Sequence, residues 1–471
     1  MKIIENGNLD NPIIGYDGKI SIEIRGSSSQ SFPKKQYGFE TQNIDGSNNN
    51  VSLLGLPEEN DWILSAPYSD KTLIRNMLAY KLSSKLGHYA PKTKFCELIK
   101  NGEYLGVYIL TEKIKRDKNR VNIANLKPNE ISGDDLTGGY LLKIDKTTGG
   151  SSVGISTTIK DLFLQVEYPK SPVFEQKKYI YDYINSFENT LYSPHFSDPE
   201  NGYHQFINLN AAIDYLIVNE LSKNIDAYYL STFIYKKKDS NGGKLHFGPV
   251  WDYNIAFGNA YYGDGHKTTG LLAGNHIWWE QFLKDTLFSN QLKERWSKIR
   301  KNEFSTVNIL SLVDSLTNTI KEAQLRDLYK WKTIGNNIWP NFYIGKSYKD
   351  EVQYLKSWLI DRLNWLDNNM PGNFNNYSTY INHNATIFPN PFNYYFTFTF
   401  SLPESGEISI YFVDSNGNLK TTFVQNAFYE KGNHNITWNN FISKNRLPKG
   451  LYFLVLEQNG KIVSKHKLMK Q

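Results

Sequence analysis

Cysteine occurs once in 471 residues, at Cys96, so no internal disulfide can form and the redox compartment is left open. A lone cysteine in a strand-like stretch reads as a small buried hydrophobe. Apolar runs are short: none approaches the roughly 18 residues that a membrane-spanning helix needs. The opening "MKIIENGNLD" lacks the apolar centre of a signal peptide. The first clear strand, at 19–24, starts so early that further sequence upstream is expected. Charge of one sign is not concentrated either. The formal net charge is +6 with no long basic block, which gives no reason to expect a nucleic-acid partner. Histidines are scattered, which argues against an imidazole metal site. GxxxxGK[ST], HExxH, CxxC and GxGxxG are all absent.

What is present in quantity is aromatic. Phe, Tyr and Trp make up 14% of a chain that is 40% hydrophobic, enough to fill a large core in at least two domains. "KISIEIR" alternates strictly and "QYGFET" follows a serine-rich turn, which predicts paired strands. Residues 71–87 carry Leu73, Ile74, Met77, Leu78, Leu82 and Leu86 at helical spacing and stop at Gly87. Asn101-Gly102 between two apolar runs predicts a tight hairpin, and "GGYLLKID" another strand. From about 171 the pattern turns helical, interrupted by a hairpin of "YLSTFIYKK" and "KLHFGPVWD". The last helix, 350–369, sets Val352, Leu355, Leu359, Leu363 and Leu366 on one face. "NNMPGNFNNYST" reads as linker. Short strands parted by turns follow to the end, which predicts a small β-sandwich. The expected class is α+β followed by that sandwich.

Three stretches suggest chemistry. "IRGSSSQSFPKK" ends a strand in Arg25, turns through Ser27 and neighbouring serines, and presents Lys34 and Lys35 at the start of the next strand. Small residues let backbone N–H groups approach anionic oxygens, and the cations supply countercharge. The plainer reading is a polar hairpin. In "NIDAYYLS" Asp226 follows a helix; it is either a turn acid or a catalytic one. In "FGPVWDYNIAFGN" Asp252 sits among Trp251, Tyr253 and Phe257. It is either a core acid bonded to backbone N–H groups or a metal ligand, because a divalent cation compensates such a carboxylate most fully. "GSSVG" matches the form of a nucleophile elbow around Ser152, yet a strand-like "ISTTI" follows where a helix is needed, so it reads as loop. The order of phosphate-type loop, helix, hairpin and two acids matches the parts phosphoryl transfer requires.

"IEIRGSSSQSFPKKQYGFE", "DWILSAPYSDKTLIRNMLAYKLSSKLG", "GEYLGVYILTEKIKRDKNRV", "NIDAYYLSTFIYKK" and "GPVWDYNIAFGN" closely resemble the CotH kinase family, atypical secreted or surface-associated protein kinases. The resemblance spans about 19–370. It implies a divergent kinase-like domain over 1–371 that uses ATP and Mg²⁺ or Mn²⁺ to phosphorylate serine in a surface or secreted protein. It also implies Asp226 as catalytic acid, Asp252 as metal ligand, and Lys35, or else Lys34, on the phosphates with Arg25 and Ser27. Arg75 and Glu112 fall in shared blocks with a nucleotide-site or scaffold role. Ser231 stands where such kinases place a metal-ligating asparagine, so a second cation would be held weakly. Leu245 and His246 stand where those members set a tryptophan against adenine. After a linker at 372–386, residues 387–471 resemble the C-terminal sorting domain of the type IX secretion system. That implies export by that machinery from a Bacteroidetes-type bacterium to the surface or medium. The alternative to the kinase is a non-catalytic surface module that binds glycan or protein through its aromatic faces. A hydrolase built on paired carboxylates is a third class.

Overall fold

The computed structural model describes residues 1–147, 153–373, 386–402, 404–414, 419–439 and 447–471. Ser152 and its GSSVG neighbours 150 and 151 lie outside the described residues, as does most of the expected linker. The chain divides into two compact units, Met1–Asn373 and Phe374–Gln471. The first is mixed α and β, with a β-rich beginning and a helical later part.

A five-stranded antiparallel sheet leads the first unit, in the order Lys19–Arg25, Gln36–Gln42, Asp61–Ser65, Glu103–Glu112, Thr93–Lys100. Its tightest turn is at Asn101 and Gly102, both at positive φ (51° and 81°), the geometry that matches the twist of the flanking strands. Asp61–Ser65 was not foreseen. It is central and buried along its length, so it lacks the alternation that marks a half-exposed strand. Two short strands ahead of Lys19, Lys2–Ile4 and Ile14–Asp17, were also missed; their pairing is bulged and only three residues register.

The predicted helix begins at Arg75, not at 71. Asp70 holds residues 71–74 in a turn by accepting from the backbone N–H groups of Thr72 (3.1 Å) and Arg75 (2.7 Å). A second five-stranded sheet follows, ordered Leu245–Phe247, Thr232–Lys236, Tyr140–Ile144, Phe163–Tyr168, Gly154–Ser156. Its two faces part by the period of two. Leu142, Ile144, Ile234 and Leu245 enter the main core, while Leu141 and Phe233 join Ile114, Val121 and Ile123 on the other side. The helices Phe174–Leu191 and Leu209–Ser222 pack on the first of these faces. The final helix, Tyr348–Asn369, buries Leu355, Leu359, Leu363 and Leu366.

The second unit pairs a three-stranded sheet (Thr386–Phe388, Tyr395–Leu402, Gly432–Asn439) with a four-stranded one (Leu419–Tyr429, Gly406–Val413, Gly450–Gln458, Lys461–Lys470). Phe396, Phe398, Phe400 and Leu402 alternate inward and meet Ile408, Ile410 and Phe412 in one core, as a sandwich requires.

Candidate functional site

Asp252 leaves the hairpin on a backbone at φ +64°, a left-handed conformation that costs an L-residue about 1–2 kcal/mol and that aspartate tolerates better than most. The surrounding loop is pinned from two helices. Asn76 accepts from the Tyr253 N–H at 2.6 Å, Arg75 Nε donates to the Ala256 carbonyl at 3.1 Å, and Asn219 accepts from the Tyr253 hydroxyl at 2.6 Å. Asn224 Nδ2 donates to the Asp252 carbonyl at 3.2 Å, and Asn224 Oδ1 accepts from the Asp226 N–H at 3.4 Å. One asparagine therefore joins the backbones of both acids. Asp226 itself follows directly because the Leu209–Ser222 helix ends at Lys223, also left-handed, which turns the chain back toward the hairpin.

While the backbones are held, the carboxylates are not. Among the described residues no donor hydrogen-bonds the Asp252 carboxylate, and Asp226 accepts only from the Tyr229 hydroxyl at 3.4 Å. Asp252 is open to solvent, with protein packed closely around it. Loss of hydration there pushes its pKa up to about 7, and the charges of Asp226 and Asp145 add to the rise. Arg25 and Lys146 oppose it. Asp226 is raised too, first by burial, with Lys146 opposing and Asp145 assisting. Arg25 reaches this cluster by lying over the Trp251 ring at 5.7 Å, and Trp251 in turn stacks on Tyr80 at 5.9 Å. The Lys146 ammonium donates to Ser28 Oγ at 3.4 Å, which brings the serine-rich turn to the acids.

Asp145 and Lys146 went unnoticed in the sequence. They reach the cluster because Thr232 pairs with Ile144, which sets the end of one strand beside Ser231. No local signal specifies which strands pair. Ser231 sits half-buried at φ +49°, and its hydroxyl makes no hydrogen bond among the described residues.

The remaining sequence candidates make contacts of their own. Ser27 precedes the Ser28–Ser31 turn and is exposed without a side-chain cap. Lys35 Nζ donates to the Gln30 carbonyl at 2.7 Å, bracing the same turn. Arg75 is a scaffold residue, paired with Asp70 at 2.5 Å as well as holding the Asp252 loop. Glu112 is buried at the end of its strand, accepting from the Lys92 N–H at 2.9 Å and the Tyr89 hydroxyl at 3.1 Å; burial raises its pKa.

Lys34 is committed to Asp327 at 2.5 Å in full burial, and Asp327 also accepts from the Val107 N–H at 2.7 Å. A side chain at Gly106 would strike that carboxylate at 2.1 Å, so this contact requires glycine. Lys34→Ala is expected to strand a buried charge and cost about 3–5 kcal/mol, read as a lowered denaturation midpoint at unchanged slope.

Beside the acids lies a cavity of about 450 Å³ whose walls include Tyr89, Arg120, Asn122, Tyr235, Lys237 and Val250. The acids do not line it; the chain runs from Val250 on its wall to Asp252 two residues on. The His246 ring stacks on Tyr235 at 4.8 Å and 2°. Burial, with the charges of Lys237 and His88, lowers its pKa to about 4, so it is neutral at pH 7.

A family model described as CotH kinase protein matches residues 22–366, and one described as secretion system C-terminal sorting domain matches residues 386–471. The inner spore coat protein H of Bacillus subtilis (strain 168) is 23% identical over 345 residues, covering 72% of this chain and 87% of that protein. A solved structure of the Pseudomonas fluorescens alkylpurine DNA glycosylase AlkC, bound to DNA containing an abasic site analog, aligns at 12% identity and a TM-score of 0.13. It covers 42% of this chain and 50% of its own, and at that score it carries no argument.

Proposed function

Because the chain belongs to the CotH kinase protein family over residues 22–366, we propose that it transfers the γ-phosphoryl group of ATP to a serine hydroxyl of a surface or secreted protein. The reading takes the first unit as a divergent kinase-like fold. The tail is a secretion-system C-terminal sorting domain, so the protein is exported to the surface or medium by type IX machinery. No described helix is long and apolar enough to cross a membrane.

One observation supports the proposal: Asp226, Asp252 and Asp145 lie near enough for their charges to act on one another, with those of Arg25 and Lys146, and Lys146 ties the serine-rich turn to them. Among the described residues no three acidic, His or Cys groups enclose a metal on their own. The Asp252 carboxylate, a hard oxygen donor with no hydrogen bond among the described residues, nevertheless suits Mg²⁺ or Mn²⁺. When bound, such a cation neutralises charge on the phosphates. Asp252 would hold it, with Ser231 a weak second ligand. Arg25 and Lys146 offset phosphate charge, with Ser27 and Lys35 in the turn that covers it. Asp226 orients the serine hydroxyl and takes its proton as the oxygen bonds to the γ-phosphorus; the bond to the β–γ bridging oxygen breaks and ADP leaves. The neighbouring cavity has room for the nucleoside.

The test is incorporation of γ-labelled phosphate, by the purified full chain with Mn²⁺, into serine of exported proteins. No incorporation at millimolar ATP with either metal overturns the reading. Ser231 and the flat His246–Tyr235 stack, which covers one ring face, favour the alternative of a non-catalytic binding module. Thermal shift separates the two, since a nucleotide bound to the native state raises its melting temperature.

A further inference from the structure

Lys146 stands among the acids because of a residue that the transfer chemistry does not use. It lies beyond the end of its strand, Tyr140–Ile144, and it is exposed. A lysine there carries its charge on a long, flexible stem, so the ammonium spreads over many positions unless the main chain beneath it is fixed. Sheet pairing does not fix it, since the pairing with Thr232–Lys236 ends where Thr232 meets Ile144. The ammonium nevertheless reaches Ser28 Oγ at 3.4 Å, and its charge acts on both Asp226 and Asp252.

Gln165 supplies the missing restraint. It sits on the strand Phe163–Tyr168, opposite Lys143, and is fully buried. Its Nε2 donates to the Asp145 carbonyl at 3.1 Å and to the Lys146 carbonyl at 3.0 Å. Both groups it faces are acceptors, so the amide can sit only one way round, with its nitrogen toward them. Its Oε1 is then left buried with no hydrogen-bond partner among the described residues, a cost that an apolar side chain of the same size would not carry. The other contacts of this stretch act on the Asp145 side chain. The Lys146 N–H donates to Asp145 Oδ1 at 2.8 Å, and Lys143, paired with Glu167 at 3.2 Å, lies 3.5 Å from Asp145 Oδ2. Among the described residues, the Lys146 carbonyl accepts from Gln165 alone.

We propose that Gln165 is a positioning residue for phosphate: by holding the Asp145 and Lys146 carbonyls it sets the Lys146 ammonium where the nucleotide's phosphates bind. That the anion is a nucleotide rests on the transfer reading; the test is binding without turnover. Calorimetry on the full chain with Mn²⁺ would measure the affinity for adenylyl imidodiphosphate, an ATP analogue whose terminal phosphoryl group is not transferred. The parent, Gln165→Met, Lys146→Ala and the double variant complete a cycle. Gln165→Met keeps the volume and removes the donors, and should weaken binding about tenfold, as should Lys146→Ala. The double variant should bind within about twofold of Lys146→Ala, because with the ammonium gone nothing is left to position. In labelling assays the KM for ATP should rise about tenfold in Gln165→Met, with kcat within about twofold of the parent. A glutamine that serves packing alone would lower the melting temperature and leave the affinity of the folded protein as it was. Unchanged affinity in Gln165→Met, or losses that multiply to about a hundredfold in the double variant, overturns the proposal. Should Gln165→Met not fold, Gln165→Asn goes through the same cycle, its amide being one methylene short of both carbonyls. A parent that binds the analogue but labels no serine from ATP sinks the transfer reading and leaves the positioning role standing. A parent that binds none sinks both.

Discussion

Replacing Asp252 by Asn is expected to abolish labelling from ATP and to erase the stabilisation that Mn²⁺ gives the parent protein. Both effects have one cause. A carboxyl raised to about 7 in the fold, against about 4 in an unfolded chain, holds its proton when the unfolded chain has already lost it. Across that window the native state binds more protons than the unfolded one, so this group's contribution to stability falls as pH rises from about 4 to about 7 and stays low above. Without metal, the Asn variant should therefore melt above the parent at about pH 8 and level with it near pH 4. A cation competes with the proton for the same oxygens, so the Mn²⁺ shift in the parent should grow from about pH 5 to about pH 8. An equal Mn²⁺ shift in Asp252→Asn would remove this residue from the metal site. Melting curves at several pH values, with and without Mn²⁺, suffice.

How much of this was legible depends on how far each feature reaches along the chain. The Asn101-Gly102 hairpin, the amphipathic last helix and the short strands of the tail are local patterns, and each is where its pattern placed it. Asp252 stood out because an acid in an aromatic stretch needs compensation, and Asp226 because it follows directly on a helix. Lys34 shows the limit. Its side-chain type suited a phosphate, but its partner Asp327 lies 293 residues away, and nothing near Lys34 announces it. Asp145 and Lys146 were hidden for the same reason: their place follows from which strand lies beside Thr232–Lys236. The seven residues Lys19–Arg25, by contrast, announced themselves through alternation alone, and Arg25 at their end reaches Trp251.

Asp226→Asn should separate binding from chemistry. The substitution keeps the size of the side chain and its ability to accept from Tyr229, while removing the group that takes the acceptor proton. General-base catalysis contributes about 10²–10⁴-fold, so the labelling rate should fall by that range with acceptor KM little changed. The Mn²⁺ shift should persist, since Asp252 remains. The loss should also carry a pH signature in the parent. Burial raises Asp226, so the labelling rate of the parent should rise with pH through a midpoint above the ordinary carboxylate range, as the base becomes free. In Asp226→Asn that limb should vanish, and the residual rate should be flat over the same interval. If the variant keeps the parental rate, or if its residual rate retains the same limb, the proton goes elsewhere. Asp145, the third carboxylate of the cluster, would then be the residue to replace next.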